Sequence, residues 1–364
     1  MPTGAVQAPA IEERGQIMKH IVRSTLAAVV LISGAALAAS AGQAQSAASP
    51  PDLAANACQR TCLEGFVDRY LAAMAARKVD PALFAPSVRF TENGVEMPFG
   101  SEGLWATASG VGKYKLYVPD IETQQVAFLG TVLETASSSA SGPAREPELV
   151  GLSLRLRIVD GKIAEVEQIA ARPERPLGPN AGNASASPFP ATGEAVEAMG
   201  APNARFLEAI PEAQRQSRAD LIRIGNYYFD AVERNTGKDY YPFTDDCLRH
   251  ENGIITAGPA GTTGIGGRQP QGCKEQLETS LIGAVTSIRD RRFVAVDRER
   301  GIVFAFAFFD HRPINWSWQL GELFKIEGEK ISRIEAIFIR GPYGINSGWS
   351  TYEQTRSEQP QDIR

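Results

Sequence analysis

Outside the N-terminal segment the chain holds two histidines, His250 and His311. An imidazole titrates at about 6.5, so such a residue takes and returns a proton near neutral pH. Strand alternation sets which neighbours act with each. His250 shares a face with Leu248 and Asn252, while Arg249 and Glu251 point the other way. His311 shares a face with Phe309, and Asp310 takes the opposite one. In a curved sheet the two strands could converge on one cavity, which makes His250 and His311 a candidate acid–base pair. Tyr228, on the preceding helix, or Asp246, just before the strand, would position a hydroxyl or carbonyl. Tyr227, Trp318, Tyr343 and Asn252 are candidates for lining an aromatic or hydroxylated ligand. Each has a structural alternative: a strand-end hydrogen bond for the histidines, core packing for the aromatics, a cap for Asp246.

The elements that must hold these residues occur twice. Arg89-Phe90-Thr91-Glu92-Asn93-Gly94 is echoed by Leu248-Arg249-His250-Glu251-Asn252-Gly253. Tyr70 stands 22 residues before Glu92, and Tyr228 stands 23 before Glu251. Each tyrosine lies on an apolar stripe of helical period: Leu63, Phe66, Val67, Tyr70, Leu71 and Met74 in one half, Leu221, Ile224, Tyr228, Phe229 and Val232 in the other. Short second helices are expected over 81–85 and 240–244, and a longer helix over 273–285. Strands are expected over 87–93, 124–133, 148–159 and 162–170, then over 247–252, 291–297, 301–311, 318–327 and 330–340. Asp160-Gly161 and Gly328-Glu329 mark the last hairpin of each half. Helices followed by runs of strands give an α+β class. Because Glu-Asn-Gly also occurs in the half without a histidine, it reads as architectural, and His250 against Thr91 is the informative difference.

The chain has 364 residues, enough for two domains, with 43% hydrophobic and 22% charged residues, as in a globular protein. A net charge of −5 and the absence of a Lys/Arg block argue against nucleic-acid binding. Met18-Lys19-His20-Ile21-Val22-Arg23 followed by an apolar stretch to Ala39 reads as a signal peptide with a start at Met18. The run is short for a bilayer span, so no membrane association is expected after cleavage, and the location is periplasmic or secreted. Four cysteines remain, and an exported chain favours the pairs Cys58–Cys62 and Cys247–Cys273, each within one repeat. No metal motif is present, and no cofactor is expected. Gly261-Thr262-Thr263-Gly264-Ile265-Gly266-Gly267 lacks the ending of a phosphate-binding loop, and no Gly-x-Ser-x-Gly elbow occurs.

Tyr228-Phe229-Asp230-Ala231-Val232, Arg249-His250-Glu251-Asn252-Gly253 and Phe324-Lys325-Ile326-Glu327-Gly328-Glu329-Lys330-Ile331, together with the element order, resemble the nuclear-transport-factor-2-like, or SnoaL-like, cone family. The resemblance covers about 58–171 and 218–345. It implies helices folded against a curved antiparallel sheet, with a pocket between them that relatives use for isomerisation, dehydration, cyclisation or binding, often without a cofactor.

The expected organisation is therefore an N-terminal extension and signal peptide (1–44), a first cone (45–171), a Pro/Ala/Gly linker (172–204), a second cone (205–349) and a polar tail (350–364). The two halves would pair as an intramolecular pseudo-dimer, and homo-oligomerisation stays open. The expected function is a cofactor-independent lyase, dehydratase or isomerase acting on a small organic molecule in the second cone. The alternative is a periplasmic binding or scaffold protein without catalysis.

Overall fold

Helix α1 (Arg60–Ala75) buries Leu63, Phe66, Val67, Tyr70, Leu71 and Met74, the stripe legible in the sequence. The computed structural model describes residues 57–135, 146–174, 188–279 and 285–364. The expected signal peptide, the 137–142 loop, part of the expected linker and residues 280–284 lie outside them. After α1 the expected second helix is absent. Leu83 and Phe84 both donate to the Asp80 carbonyl, closing one turn, and the chain goes straight into β1 (Phe84–Glu92). One turn of helix is not self-supporting, and Leu83 and Phe84 are drawn into the core instead.

The first sheet continues with β2 (Val95–Glu96), the short helix α2 (Leu104–Thr107), β3 (Ala108–Asp120), β4 (Gln125–Glu134), β5 (Glu148–Val159) and β6 (Lys162–Ala171). Its order is β2-β1-β6-β5-β4-β3. Strand β3 was not legible, because Gly110, Gly112, Lys113 and Lys115 interrupt its apolar alternation. The register shifts there, between Val111 and Lys115, which bends the strand.

Residues 192–198, expected to belong to a spacer, form α3 (Thr192–Ala198), followed by α4 (Ala204–Leu207). Glu197 of α3 accepts from the Lys113 and Tyr114 amides at 3.0 and 3.2 Å. A Cβ on Gly193 would stand 2.2 Å from the Leu149 carbonyl oxygen, so this helix packs directly on the first sheet.

Helix α5 (Arg218–Arg234) starts at Ser217, whose hydroxyl accepts from the Asp220 amide, and ends at Asn235 in the left-handed region. The second sheet is built from β7 (Phe243–Glu251), β8 (Ile254–Ala257), β9 (Ser287–Asp297), β10 (Ile302–His311), β11 (Trp316–Glu327), β12 (Lys330–Pro342) and β13 (Gln361–Asp362). Its order, β13-β9-β10-β11-β12-β7-β8, repeats that of the first sheet with one strand added. Helix α6 (Cys273–Thr279) lies between β8 and β9. The second short helix expected at 240–244 is likewise absent; β7 begins at Phe243. Both sheets are mixed rather than wholly antiparallel, because β1 runs parallel to β6 and β7 parallel to β12. The intervening strands supply the long connection that a parallel pair requires.

Both expected disulfides form, with Cα separations of 5.4 Å for Cys58–Cys62 and 6.0 Å for Cys247–Cys273. The tail is not merely a polar end. It contains α7 (Tyr352–Thr355), and β13 pairs Gln361 with Arg292.

The sheets meet through a shared apolar layer that includes Leu116, Leu129 and Ile169 from the first and Val294, Phe304, Leu323 and Ile337 from the second. Two reciprocal ion pairs frame it. Arg60, opening α1, forms a bidentate bond to Asp297 at the end of β9, at 2.7 and 2.8 Å. Arg218, opening α5, binds buried Asp120 at the end of β3. Breaking a buried pair of this kind costs about 3–5 kcal/mol.

Candidate functional site

The inner face of the second sheet, under α5, carries a polar cluster in an otherwise aromatic core. Tyr228 is brought there by the helical stripe, Arg249 and Glu251 by alternation along β7, and Glu322 by alternation along β11. The Arg249 guanidinium donates to the Tyr228 hydroxyl at 3.2 Å, to Thr256 at 2.9 Å and to Gln276 of α6 at 2.6 Å. Glu251 stands 3.4 Å from the same guanidinium. The Cys247–Cys273 disulfide ties α6 to β7, which holds Gln276 over the cluster.

Glu322 differs from its neighbours. It is 1% exposed, and its Oε2 has no hydrogen-bond partner among the described residues. Burial, and then the like charge of Glu251, raise its pKa well above the ordinary carboxyl range, against the pull of Arg249. The shift favours the protonated form, which can donate a proton or a hydrogen bond. Burial also raises Tyr228 well above the usual phenol value, so its hydroxyl stays protonated. Phe229, Phe293, Phe309 and Phe324 pack around this cluster.

The two histidines do not converge. His250 is register partner to Glu335, on the face of β7 turned to the first sheet. There it borders a small recess with Tyr114, Val196, Met199 and Glu335. Burial, and then the Arg333 charge, lower its pKa to about 4, so it is neutral. Tyr114 donates to Glu335 at 2.5 Å, and burial pushes that carboxyl up to about 7. His311 lies on the opposite face with Phe309, its ring 4.6 Å from that of Trp318. Its Nδ1 is 3.1 Å from the Phe309 carbonyl, which requires the proton on Nδ1 and leaves Nε2 as an acceptor. Burial lowers its pKa too. Alternation reverses the side chain at each residue, and β7 and β10 present these two to opposite sides of the sheet. They cannot act as one acid–base pair.

The remaining candidates separate in the same way. Asp246 lies within β7, not before it, and its exposed carboxylate pairs with Arg205 at 3.0 Å and Arg333 at 3.3 Å, outside the cone. Tyr227 is on the outer side of α5, accepting from Arg223 at 3.1 Å and packed on Tyr240. Tyr343 follows β12 and lines a separate recess at the sheet end. Asn252 is architectural: its amide oxygen accepts from the Phe338 N–H at 2.8 Å, and its amide nitrogen donates to the Phe338 carbonyl at 3.1 Å. Asn93 makes the corresponding pair with Ala170. Trp318 stacks on Phe338 at 4.9 Å and, with Phe189 and Trp316, forms an aromatic recess at the rim of the cone. Of the eight expected site residues, the cone face thus keeps Tyr228, His311 and Trp318, with Asn252 bordering the recess that Trp318 lines.

Glu322 was missed, and the signal was present. Leu320, Glu322 and Phe324 share one face of a strand, so a carboxylate stood on an apolar stripe. Arg249 and Glu251 share a strand face in the sequence, where the repeated Glu-Asn-Gly reads as architectural. Among the described residues, no group of three His, Cys, Asp or Glu side chains converges as a metal site, and no helix is long and apolar enough to cross a membrane.

A family model described as a domain of unknown function (DUF8021) matches residues 214–338, the stretch that carries α5 and the cluster beneath it. No curated protein sequence matches the chain. Among solved structures, a putative hydroxylase, AclR, from Streptomyces galilaeus is 18% identical with a TM-score of 0.25, over 31% of this chain and 81% of that one. A de novo designed protein with a curved β-sheet is 14% identical with a TM-score of 0.24, over 34% of this chain and 88% of that one. The chain is similar in sequence to DUF8021 over its second half, and carries two mixed α+β sheets of six and seven strands.

Proposed function

We propose that the second half is a cofactor-independent acid–base enzyme, a lyase or isomerase of an exported protein, acting on a small carbonyl or hydroxyl compound. Glu322 carries the reading: a buried carboxyl pushed toward its neutral form, one oxygen without a partner among the described residues, set beside a hydroxyl, a guanidinium and a second carboxylate. In this scheme Tyr228 and protonated Glu322 donate hydrogen bonds to a substrate oxygen. Glu251 takes the proton from the adjacent carbon, and Arg249 holds Glu251 and Tyr228 in place. The electron pair released on carbon moves toward the oxygen that Glu322 and Tyr228 hold. It then collapses in one of two ways: protonated Glu251 returns the proton to another carbon and the double bond shifts, or it passes the proton to a β-hydroxyl that leaves as water. The aromatic rim of Trp318 and Phe338 would flank an apolar part of the substrate. The first half completes an intramolecular pseudo-dimer through the shared apolar layer, and the two disulfides suit an oxidising compartment.

Proton abstraction is testable without the natural substrate. A panel of cyclic ketones and hydroxyketones in D2O is followed by NMR for deuterium uptake next to the carbonyl. The wild type should catalyse exchange of at least one member, and Glu322→Gln should slow it by about 100-fold or more, with His250→Ala unchanged. Exchange indifferent to Glu322→Gln ends this assignment. A second reading rests on the phenylalanines that fill the inner face: binding without turnover. Panel members that raise the melting temperature but never exchange favour it.

A further inference from the structure

At the end of the second sheet where Ser287 opens β9 and Asp310 lies next to the last residue of β10, a recess of about 670 Å³ including its open mouth lies between β9–β10 and the chain after residue 338. Short of that mouth the enclosed space is about 160 Å³, room for one small ring rather than a drug-sized ligand. Part of its wall is made by residues 343–358, beyond the stretch that matches the family model. The wall is anchored rather than loose. Ser347 and Ser350 both donate to buried Asp290, at 2.8 and 2.5 Å, and Trp349 donates to Thr91 of the first sheet at 2.8 Å.

The charge within the recess is unbalanced. Asp310, on its floor, is spent: Arg289 donates to it at 2.9 Å, Ser317 at 2.5 Å and Ser287 at 3.2 Å. Two further guanidiniums line the recess, Arg312 and Arg356, both exposed, and neither forms an ion pair with any described residue. Glu358 is the one other carboxylate in the lining. A chain of net charge −5 therefore has a concave, arginine-lined pocket. Tyr343 and Tyr352, 36% and 71% exposed, add aromatic surface beside the two arginines.

We infer that this recess binds a small ring-bearing oxyanion, a carboxylate or phosphate ester, with Arg312 and Arg356 gripping the anionic group and the tyrosines flanking the ring. Guanidinium forks match planar oxyanions, which are the chemistry these two side chains lack a partner for.

Isothermal titration calorimetry on the full chain, disulfides intact, tests this with benzoate, phenyl phosphate, inorganic phosphate and benzyl alcohol. Benzoate or phenyl phosphate should bind, less tightly at high salt. Arg312→Gln with Arg356→Gln should weaken binding by about tenfold or more. Lys78→Gln with Lys238→Gln, which removes the same charge elsewhere, should leave it unchanged. Inorganic phosphate binding as well as phenyl phosphate would show that only the anionic group is read and overturn the ring. Benzyl alcohol binding equally, no binding of either aromatic anion, or binding untouched by the arginine pair each overturn the site. Because neither arginine lies in the cone, loss of binding here leaves deuterium exchange intact, and failure of the exchange assay does not bear on this recess.

Discussion

The two cones share a frame and differ in what they place inside it. In the first, Trp105 donates to Tyr70 at 3.2 Å, Tyr70 to Gln168 at 2.8 Å, and Gln168 to Glu92 at 2.8 Å. Glu92 also caps the Leu104 amide at 2.8 Å and meets Arg172 at 2.8 Å. Every polar group in that chain has a partner, so the network is a brace. In the second cone the register places Arg249 where the first has Phe90, Glu322 where it has Leu154, and Ala336 where it has Gln168. Losing the glutamine frees the glutamate of the repeated motif, and the leucine-to-glutamate difference adds a carboxyl without a full set of partners. Three inward positions thus separate a brace from a candidate reactive site, while Tyr, Asn and Gly keep the frame.

The largest expected effect breaks the comparison at the shared glutamate. Glu92→Ala leaves a buried amide, a glutamine and an arginine unsatisfied, and should cost about 3 kcal/mol or more. Glu251→Ala takes the carboxylate from buried Arg249 but leaves its bonds to Tyr228, Thr256 and Gln276, and should cost less, about 2 kcal/mol. Urea unfolding of both variants measures the difference, and equal costs would make Glu251 a brace as well.

The interface offers a comparison of similar size. Burial holds Glu335 up at about 7 and His250 down at about 4. The raised carboxyl contributes stability that is full below its unfolded pKa of about 4.5 and is lost as pH rises through 7, on the order of 3 kcal/mol. The depressed imidazole contributes stability that is full above about 6.5 and is lost as pH falls through 4, a similar amount of opposite slope. The wild type should therefore be nearly flat between pH 4 and 7. Glu335→Gln should make stability rise with pH across that window, and His250→Gln should make it fall. Parallel slopes in the two variants would assign the titration elsewhere.

The smallest difference should lie at the repeated asparagine. Asn93 and Asn252 both sit at positive φ, 53° and 49°, and both tie the backbone of the last strand. Each Asn→Ala change should cost about 2 kcal/mol, from strain in the left-handed region and two lost bonds. Melting curves that differ widely between the two would mean the frame is not equivalent.

Much of the frame was legible. Helical stripes, both disulfides, the terminal hairpins and the paired Glu-Asn-Gly follow from periodicity, parity of cysteines and turn chemistry. Strand β3 and helix α3 were not, because glycines and lysines mask the first and proline-rich flanks mask the second. The site was half legible: Tyr228 lay on the right stripe, and Arg249 with Glu251 shared the right face. The histidines drew attention for their chemistry, yet intrinsic pKa says nothing about which side of a sheet a strand presents.

By itself the sequence determined local matters: which residues alternate, which turn needs positive φ, which helix face is apolar. These depend on neighbours within a few positions. Only the tertiary structure decided which face of each strand looks into the cone and which meets the other sheet. That choice turns on pairing between β7 and β12 and between β10 and β11, and a shift of one residue reverses every side chain. It is why His250 and His311 part company, and why Glu322, distant in sequence from Arg249, becomes its neighbour.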